Sequence, residues 1–227
     1  MISLLLLGFL LGVRHALEAD HIATVAALAS QRTTVEQMLK QGFAWGLGHS
    51  LTILLLAGGV MWLGANISSV VATGLETLVG ILMVLLGIDV VRRALNTRYH
   101  IHFHLHSHTQ EQLRNHERPN THRHQHKQQG AYPFRALSLG LVHGLAGSAA
   151  ILLLVVEQMD SVTVGFIYLG LFCIGSMVGM LVFSALISVP IMLSNQRFKH
   201  WQTYLQILIG IITLGIGGQI GLAGLMA

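Results

Sequence analysis

Six long apolar stretches, each close to the roughly 20 residues a helix needs to cross a ~30 Å hydrocarbon core, constrain the fold of this chain more than anything else in it. They cover residues 2–29, 42–63, 70–91, 136–156, 162–193 and 204–227. Lipid offers the backbone no hydrogen bonds, so segments of this length satisfy themselves as α-helices. Charged residues make up 10% of the chain, against roughly 25% in ordinary soluble domains, which excludes a soluble globule. Glycine is frequent, with 25 copies, and small residues let helices approach closely where lipid supplies no hydrophobic drive. The expected fold is all-α and integral to a membrane, with six transmembrane helices. The first stretch has no basic residue ahead of its apolar run and carries ionisable groups further along, so it is expected to be a retained span, not a signal peptide. Cys173 is the single cysteine and forms no intrachain disulfide.

Twelve of the 13 Lys and Arg residues fall in the connections after the first, third and fifth stretches, and only Arg14 lies elsewhere. The connections after the second and fourth hold Glu157 and Asp160 but no base. Basic residues accumulate on the cytoplasmic side, so the odd-numbered connections are expected there and both termini outside, in a multi-pass protein of the inner (cytoplasmic) membrane. The net charge of +4 is then topological. No soluble basic face interleaved with aromatics exists to bind nucleic acid.

The two halves resemble each other. Gly12-Val13-Arg14-His15 lies over Gly140-Leu141-Val142-His143, which sets His15 opposite His143 and Asp20 opposite Ser148. Weaker matches relate 43–46 to 172–175 and 76–78 to 202–204. Three helices per half is an odd number, so the second half would enter the membrane from the opposite side. The expected organisation is a 3+3 inverted repeat, with 1–96 as the first unit, 97–131 as a histidine-rich loop and 132–227 as the second unit. Inverted repeats characterise secondary transporters, whose substrate site lies near the midplane where the halves meet, often on interrupted helices. Counted from residue 2, His15 stands about 20 Å along its helix, near that midplane.

The chemistry is concentrated in His15, Glu18, Asp20 and His21, inside an otherwise apolar stretch. Each ionisable group at such depth costs on the order of 2.5–3.5 kcal/mol, so these residues need partners. Two imidazoles and a carboxylate suit borderline transition metals, whereas Mg²⁺ and Ca²⁺ prefer oxygen alone. On an ideal helix positions 15 and 21 differ by about 240°, so either the helix opens or other helices complete the shell. His49 and His143, the ionisable groups of the second and fourth stretches, are the candidates. The expected metal ligands are therefore His15, Asp20, His21, His49 and His143, with Glu18, Ser50 and Arg14 as accessory residues. Arg14 and Glu18 are also spaced for an i,i+4 ion pair, a purely structural alternative for those two.

Nine of the 14 histidines lie in the loop: His100, His102, His104, His106, His108, His116, His122, His124 and His126. The loop is polar and of low complexity, which predicts disorder. Its first five histidines alternate, so an extended chain would present them on one edge to a metal ion. Such a tract collects or senses ions but does not define one coordination geometry.

The segment Arg14-His15-Ala16-Leu17-Glu18-Ala19-Asp20-His21-Ile22 resembles the signature of the nickel/cobalt transporter (NiCoT, or wider NicO) superfamily: a histidine, four residues, then aspartate and histidine. Gly46-Leu47-Gly48-His49-Ser50 is similar to that family's second histidine motif on the next helix. The resemblance implies that His15, Asp20, His21 and His49 take part in metal recognition and permeation. Many members carry an aspartate where Glu18 stands, span the membrane eight times and have an acidic motif in the second half. This chain is more similar to the shorter, six-helix branch related to urease-accessory transporters.

The expected function is secondary transport of Ni²⁺ or Co²⁺ as substrate, with Zn²⁺ also chemically compatible, no permanent cofactor and no enzymatic activity. The partners are the lipid bilayer, the ion and a cytoplasmic metallochaperone that could receive it. No Walker A pattern occurs, so this chain does not hydrolyse ATP. A divalent ion entering a cell held 100 mV negative gains about 4.6 kcal/mol, which favours uptake over efflux. The other readings are a nickel/cobalt exporter, a non-transporting sensor or accessory subunit, and a di-iron membrane enzyme, whose histidines would have to gather at one membrane surface. The topology predicts that a cysteine replacing Ser161 reacts with an impermeant thiol reagent from outside and one replacing Ser107 does not. Labelling of position 107 from outside would reverse the orientation.

Overall fold

The computed structural model describes residues 2–32, 34–64, 68–98, 133–145, 161–197 and 199–226. Among them the structured elements are all helices: α1 (Ile2–His15), α2 (Ala19–Ser30), α3 (Val35–Leu63), α4 (Ser69–Arg98), α5 (Phe134–His143), α6 (Val162–Arg197) and α7 (Lys199–Met226). Four of the helical stretches, Val35–Leu63, Ser69–Asn96, Val162–Met192 and Trp201–Met226, are long and apolar enough to cross a membrane. The apolar stretch at 2–29 is not one helix but two, α1 and α2, separated by a turn at Ala16–Glu18. Of the stretch at 136–156, α5 and the turn through Leu145 are described, while Ser148 and the rest lie outside the described residues, as do the loop histidines from His100 to His126.

Polar side chains set several helix starts. Thr34 Oγ1 accepts from the Gln37 N–H at 3.3 Å, Ser68 Oγ from Val71 N–H at 3.3 Å and Ser161 Oγ from Val164 N–H at 3.3 Å. α3 ends at Gly64, whose φ of 58° is left-handed and suits glycine.

The bundle has large apolar side chains outside, including Leu55, Leu63, Val70, Leu85 and Ile211, and inside it sets small or polar residues such as Ala16, Ala27, Ala57, Ser176 and Ser184 among bulky ones such as Trp45, Tyr168 and Ile53. The outer face inverts the soluble arrangement, because lipid is the solvent here, and close contact must come from small residues. A Cβ on Gly12 would run into the backbone of Phe172 and Ser176, and one on Gly140 into the backbone of Trp45 and His49. These contacts lay α1 on α6 and α5 on α3. Gly80 faces Gly217 and Gly221, and Gly87 faces Gly210, so α4 and α7 run antiparallel with backbones touching.

α1 and α2 follow one another along α6. Gly8 lies against Tyr168, Gly12 against Phe172, and a Cβ on Gly179 would meet Ala16, while Ala29 clusters with Ile191. α2 is also tied to α7, where Thr213 Oγ1 donates to the Ala23 carbonyl at 3.4 Å and Gln206 Nε2 to that of Ser30 at 2.7 Å.

Overpacking a tight contact typically costs 1–3 kcal/mol. Gly140→Ala should therefore lower the unfolding temperature of the detergent-solubilised protein, because the new methyl group meets the Trp45 carbonyl. Gly74→Ala, with nothing within 4 Å, should leave it unchanged or slightly raised. Equal melting of the two variants would refute this packing.

Candidate metal centre

The turn that splits the first apolar stretch builds the centre. Leu17 N–H donates to the Arg14 carbonyl at 2.9 Å and Glu18 N–H to the His15 carbonyl at 3.0 Å, tightening the chain into 3₁₀-type turns after α1. Glu18 then takes an extended conformation, with φ of −66° and ψ of 149°, as the N-cap of α2. Its carbonyl accepts the first bond of α2, from Ile22 N–H at 2.9 Å. Asp20 lies in the first turn of α2, where the positive end of the helix dipole favours a carboxylate.

This bend brings two imidazoles of one segment onto a third. His15 Nε2 lies 3.1 Å from His49 Nε2, and His21 Nε2 lies 3.3 Å from the same atom. All three side chains are buried, His49 completely. Two nitrogens bound to one ion at about 2.0–2.1 Å stand roughly 2.9 Å apart at a right angle and 3.4 Å apart at the tetrahedral angle. The observed spacings fall between those limits. The three rings thus turn ligand atoms toward one point, and these atoms lie within 4.8 Å of one another.

The opposite nitrogens are held by carboxylates. His15 Nδ1 is 3.0 Å from Glu18 Oε2, and His21 Nδ1 is 3.0 Å from Asp20 Oδ1. A carboxylate on Nδ1 accepts a hydrogen bond from the N–H there and leaves the Nε2 lone pair for a metal, the usual outer-shell arrangement around a ligating histidine. Asp20 uses its other oxygen too, accepting from His143 Nε2 at 3.0 Å. Asp20, His21 and His143 therefore form a second group of potential ligand atoms beside the first, sharing His21. His49 Nδ1 and His143 Nδ1 are buried and have no hydrogen-bond partner among the described residues.

Aromatic side chains wall the centre. Trp45 stacks on His49, with ring centroids 5.7 Å apart and an interplanar angle of 24°, and meets His21 and His143 edge-on, each at 5.4 Å. Phe172 on α6 covers His15 at 5.3 Å. Residue type alone did not single out Trp45 and Phe172, although Trp45 precedes His49 by four residues and so shares its helix face.

His15, Asp20, His21, His49 and His143 are thus brought together from α1, α2, α3 and α5, with Glu18 beside them. Ser50 is not part of the group: its Oγ donates to the Cys173 carbonyl on α6 at 3.3 Å. Arg14 is exposed, and Glu18 meets His15 rather than Arg14. Asp89, near the end of α4, belongs elsewhere, paired with Arg93 at 2.9 Å and Arg135 at 2.6 Å.

Comparison with known proteins agrees with this chemistry. Residues 1–226 match the family model NicO, described as high-affinity nickel-transport protein. The chain is 32% identical over 207 residues to urease accessory protein UreH of Bacillus sp. (strain TB-90), covering 91% of this chain and 86% of that one. No solved structure matches it. With a family match running through nearly every residue and four apolar helices long enough to cross a bilayer, this chain belongs to the NicO family of nickel-transport proteins, as a multi-pass membrane protein and not an enzyme.

Proposed function

We propose that this protein carries Ni²⁺ or Co²⁺ into the cell by a secondary mechanism, through a site in which His15, His21 and His49 contact the ion. The observation that carries this reading is the convergence of three buried Nε2 atoms, two of them backed by carboxylates. A ligand set made mainly of imidazole suits nickel, cobalt and zinc and leaves hard ions poorly served. Asp20 supplies negative charge against the dication while orienting His21 and His143. His143 gives the ion an adjoining station on the α5 side. The loop histidines collect ions at the cytoplasmic face and set no geometry.

The proposed architecture is six spans in a 3+3 inverted repeat, with α1 and α2 forming one broken span and α5 opening the fourth. Support comes from reciprocal packing. Gly12 meets the backbone of Phe172 and Ser176 as Gly140 meets that of Trp45 and His49. Gly175 meets Phe9 as Gly48 meets Leu137, and Gly80 faces Gly217 as Gly210 faces Gly87. Further support is the course of α1 and α2 along α6: from Tyr168 to Ile191 is 23 residues, about 35 Å of helix, or one hydrocarbon thickness. In this arrangement α1 brings His15 to the centre from one side and α5 brings His143 from the other, each as the last residue of its helix. The negative ends of both helix dipoles then face the cation.

The test is radiometal flux into proteoliposomes holding this protein alone. Nickel and cobalt should enter down an inside-negative potential, and the absence of flux with correctly inserted protein would leave only a sensing or accessory role. His15→Ala, His21→Ala and His49→Ala should each abolish flux. Their combinations should add nothing further, because ligands of one ion fail together. Glu18→Gln should weaken metal affinity by about 10–100-fold, the usual effect of losing an outer-shell partner, and Asp20→Asn should weaken it as well. Imidazole must be neutral to bind metal, so protons compete with the ion and affinity should fall as the solution is acidified. Wild-type rates in His21→Ala and His49→Ala would return these histidines to a packing role.

A further inference from the structure

A second group of polar residues gathers away from the metal centre, where the α2–α3 turn, the last turns of α4 and the start of α5 meet. Asp89 on α4 accepts from Arg93 Nε at 2.9 Å, from Arg135 Nη2 at 2.6 Å and from Gln31 Nε2 at 3.5 Å. Arg32, next to Gln31, completes the group. Its Nε is buried and meets no acceptor among the described residues. Burial and the positive charges of Arg135 and Arg93 together push its guanidinium below the ordinary arginine value. Two guanidiniums and an amide thus donate to one carboxylate, and Arg32 stands beside them with a buried N–H that no described residue accepts.

The start of α5 adds to the imbalance. Pro133 occupies its N-cap with no side-chain hydrogen bond, and the first turn holds no acidic residue but does hold Arg135. A helix start normally attracts negative charge, and Asp89, which meets Arg135 there, is shared with Arg93 and Gln31. Planar guanidinium forks match the oxygens of a phosphate group, and basic pockets between transmembrane helices are suited to anionic headgroups.

We propose that the notch formed by Arg32, Arg93 and Arg135 binds a phosphate group, from an anionic phospholipid headgroup or from free phosphate. Asp89 holds Arg93 and Arg135 in place, and Arg32 Nε supplies a donor that no described residue engages. The bound phosphate would tie α2, α4 and α5 together at their shared end without entering the metal centre.

The test uses the full-length protein in a neutral detergent, with phosphatidylglycerol, phosphatidylcholine and inorganic phosphate as probes. Thermal unfolding and native mass spectrometry are the readouts. Phosphatidylglycerol should raise the unfolding temperature and remain bound where phosphatidylcholine does neither, and a response to inorganic phosphate alone would assign the notch to the free ion. Arg32→Gln should raise the half-maximal concentration of the effective probe at least fivefold. Arg92→Gln, which removes an exposed charge next to Arg93, should leave it within twofold. If Arg32→Gln cannot be recovered folded, Arg93→Gln, on a side chain 60% exposed, should show the same loss. No response to either phosphate source, or an equal loss in Arg92→Gln and the notch variants, would overturn the proposal.

Discussion

The centre depends on three residues, Ala16 to Glu18, that are not helical. Had α1 run on into α2, His15 and His21 would face directions about 120° apart and could not both close on one imidazole nitrogen. With the turn in place, both Nε2 atoms reach His49. Glu18 serves the turn twice, once through its backbone as the N-cap of α2 and once through its carboxylate on His15. Asp20 likewise combines a favourable place in the first turn of α2 with a bridge between His21 and His143. Stopping one helix and starting the next therefore also orients three imidazoles.

Backbone proximity sets the tolerance of this arrangement. His49 and His143 sit on helices whose main chains touch, with Gly140 against Trp45 and Gly48 against Leu137. Any side chain at these glycines would separate α3 from α5 and draw His143 away from Asp20. Hydrogen-bonded and metal-bound geometry fails within about 1 Å, so close packing is a requirement of the centre as well as of the bundle.

Much of this was readable from the residues. The apolar stretches announce membrane helices, and the ionisable residues at 15, 20, 21, 49 and 143, costly in lipid, announce that they need partners, which they find in one another. The break was harder to see. The segment Ala16-Leu17-Glu18-Ala19 holds neither glycine nor proline, and its one local signal is the acidic pair at the start of α2. Glu18 had two partners within helical reach, Arg14 at i−4 and His15 at i−3, and tertiary packing rather than spacing decided for His15. The pairing of Asp89 was out of reach of local spacing, because its partner Arg135 stands 46 positions away. The reciprocal contacts match Trp45 to Phe172, two positions from the register suggested by aligning 43–46 with 172–175, because strings of small and apolar residues align almost equally well at neighbouring offsets.

The stacking of Trp45 on His49 has an optical consequence. Of the chain's three tryptophans, Trp62 and Trp201 are 76% and 65% exposed on the outer surface, while Trp45 is fully buried against three of the site's imidazoles. Its ring centre stands 5.4–5.7 Å from those imidazoles, close enough for an open-shell ion such as Ni²⁺ or Co²⁺ held by them to drain the excited state. The two outer indoles face outward, and the inner one faces the site. An ion bound at the centre would therefore show in the protein's own fluorescence, with no label attached.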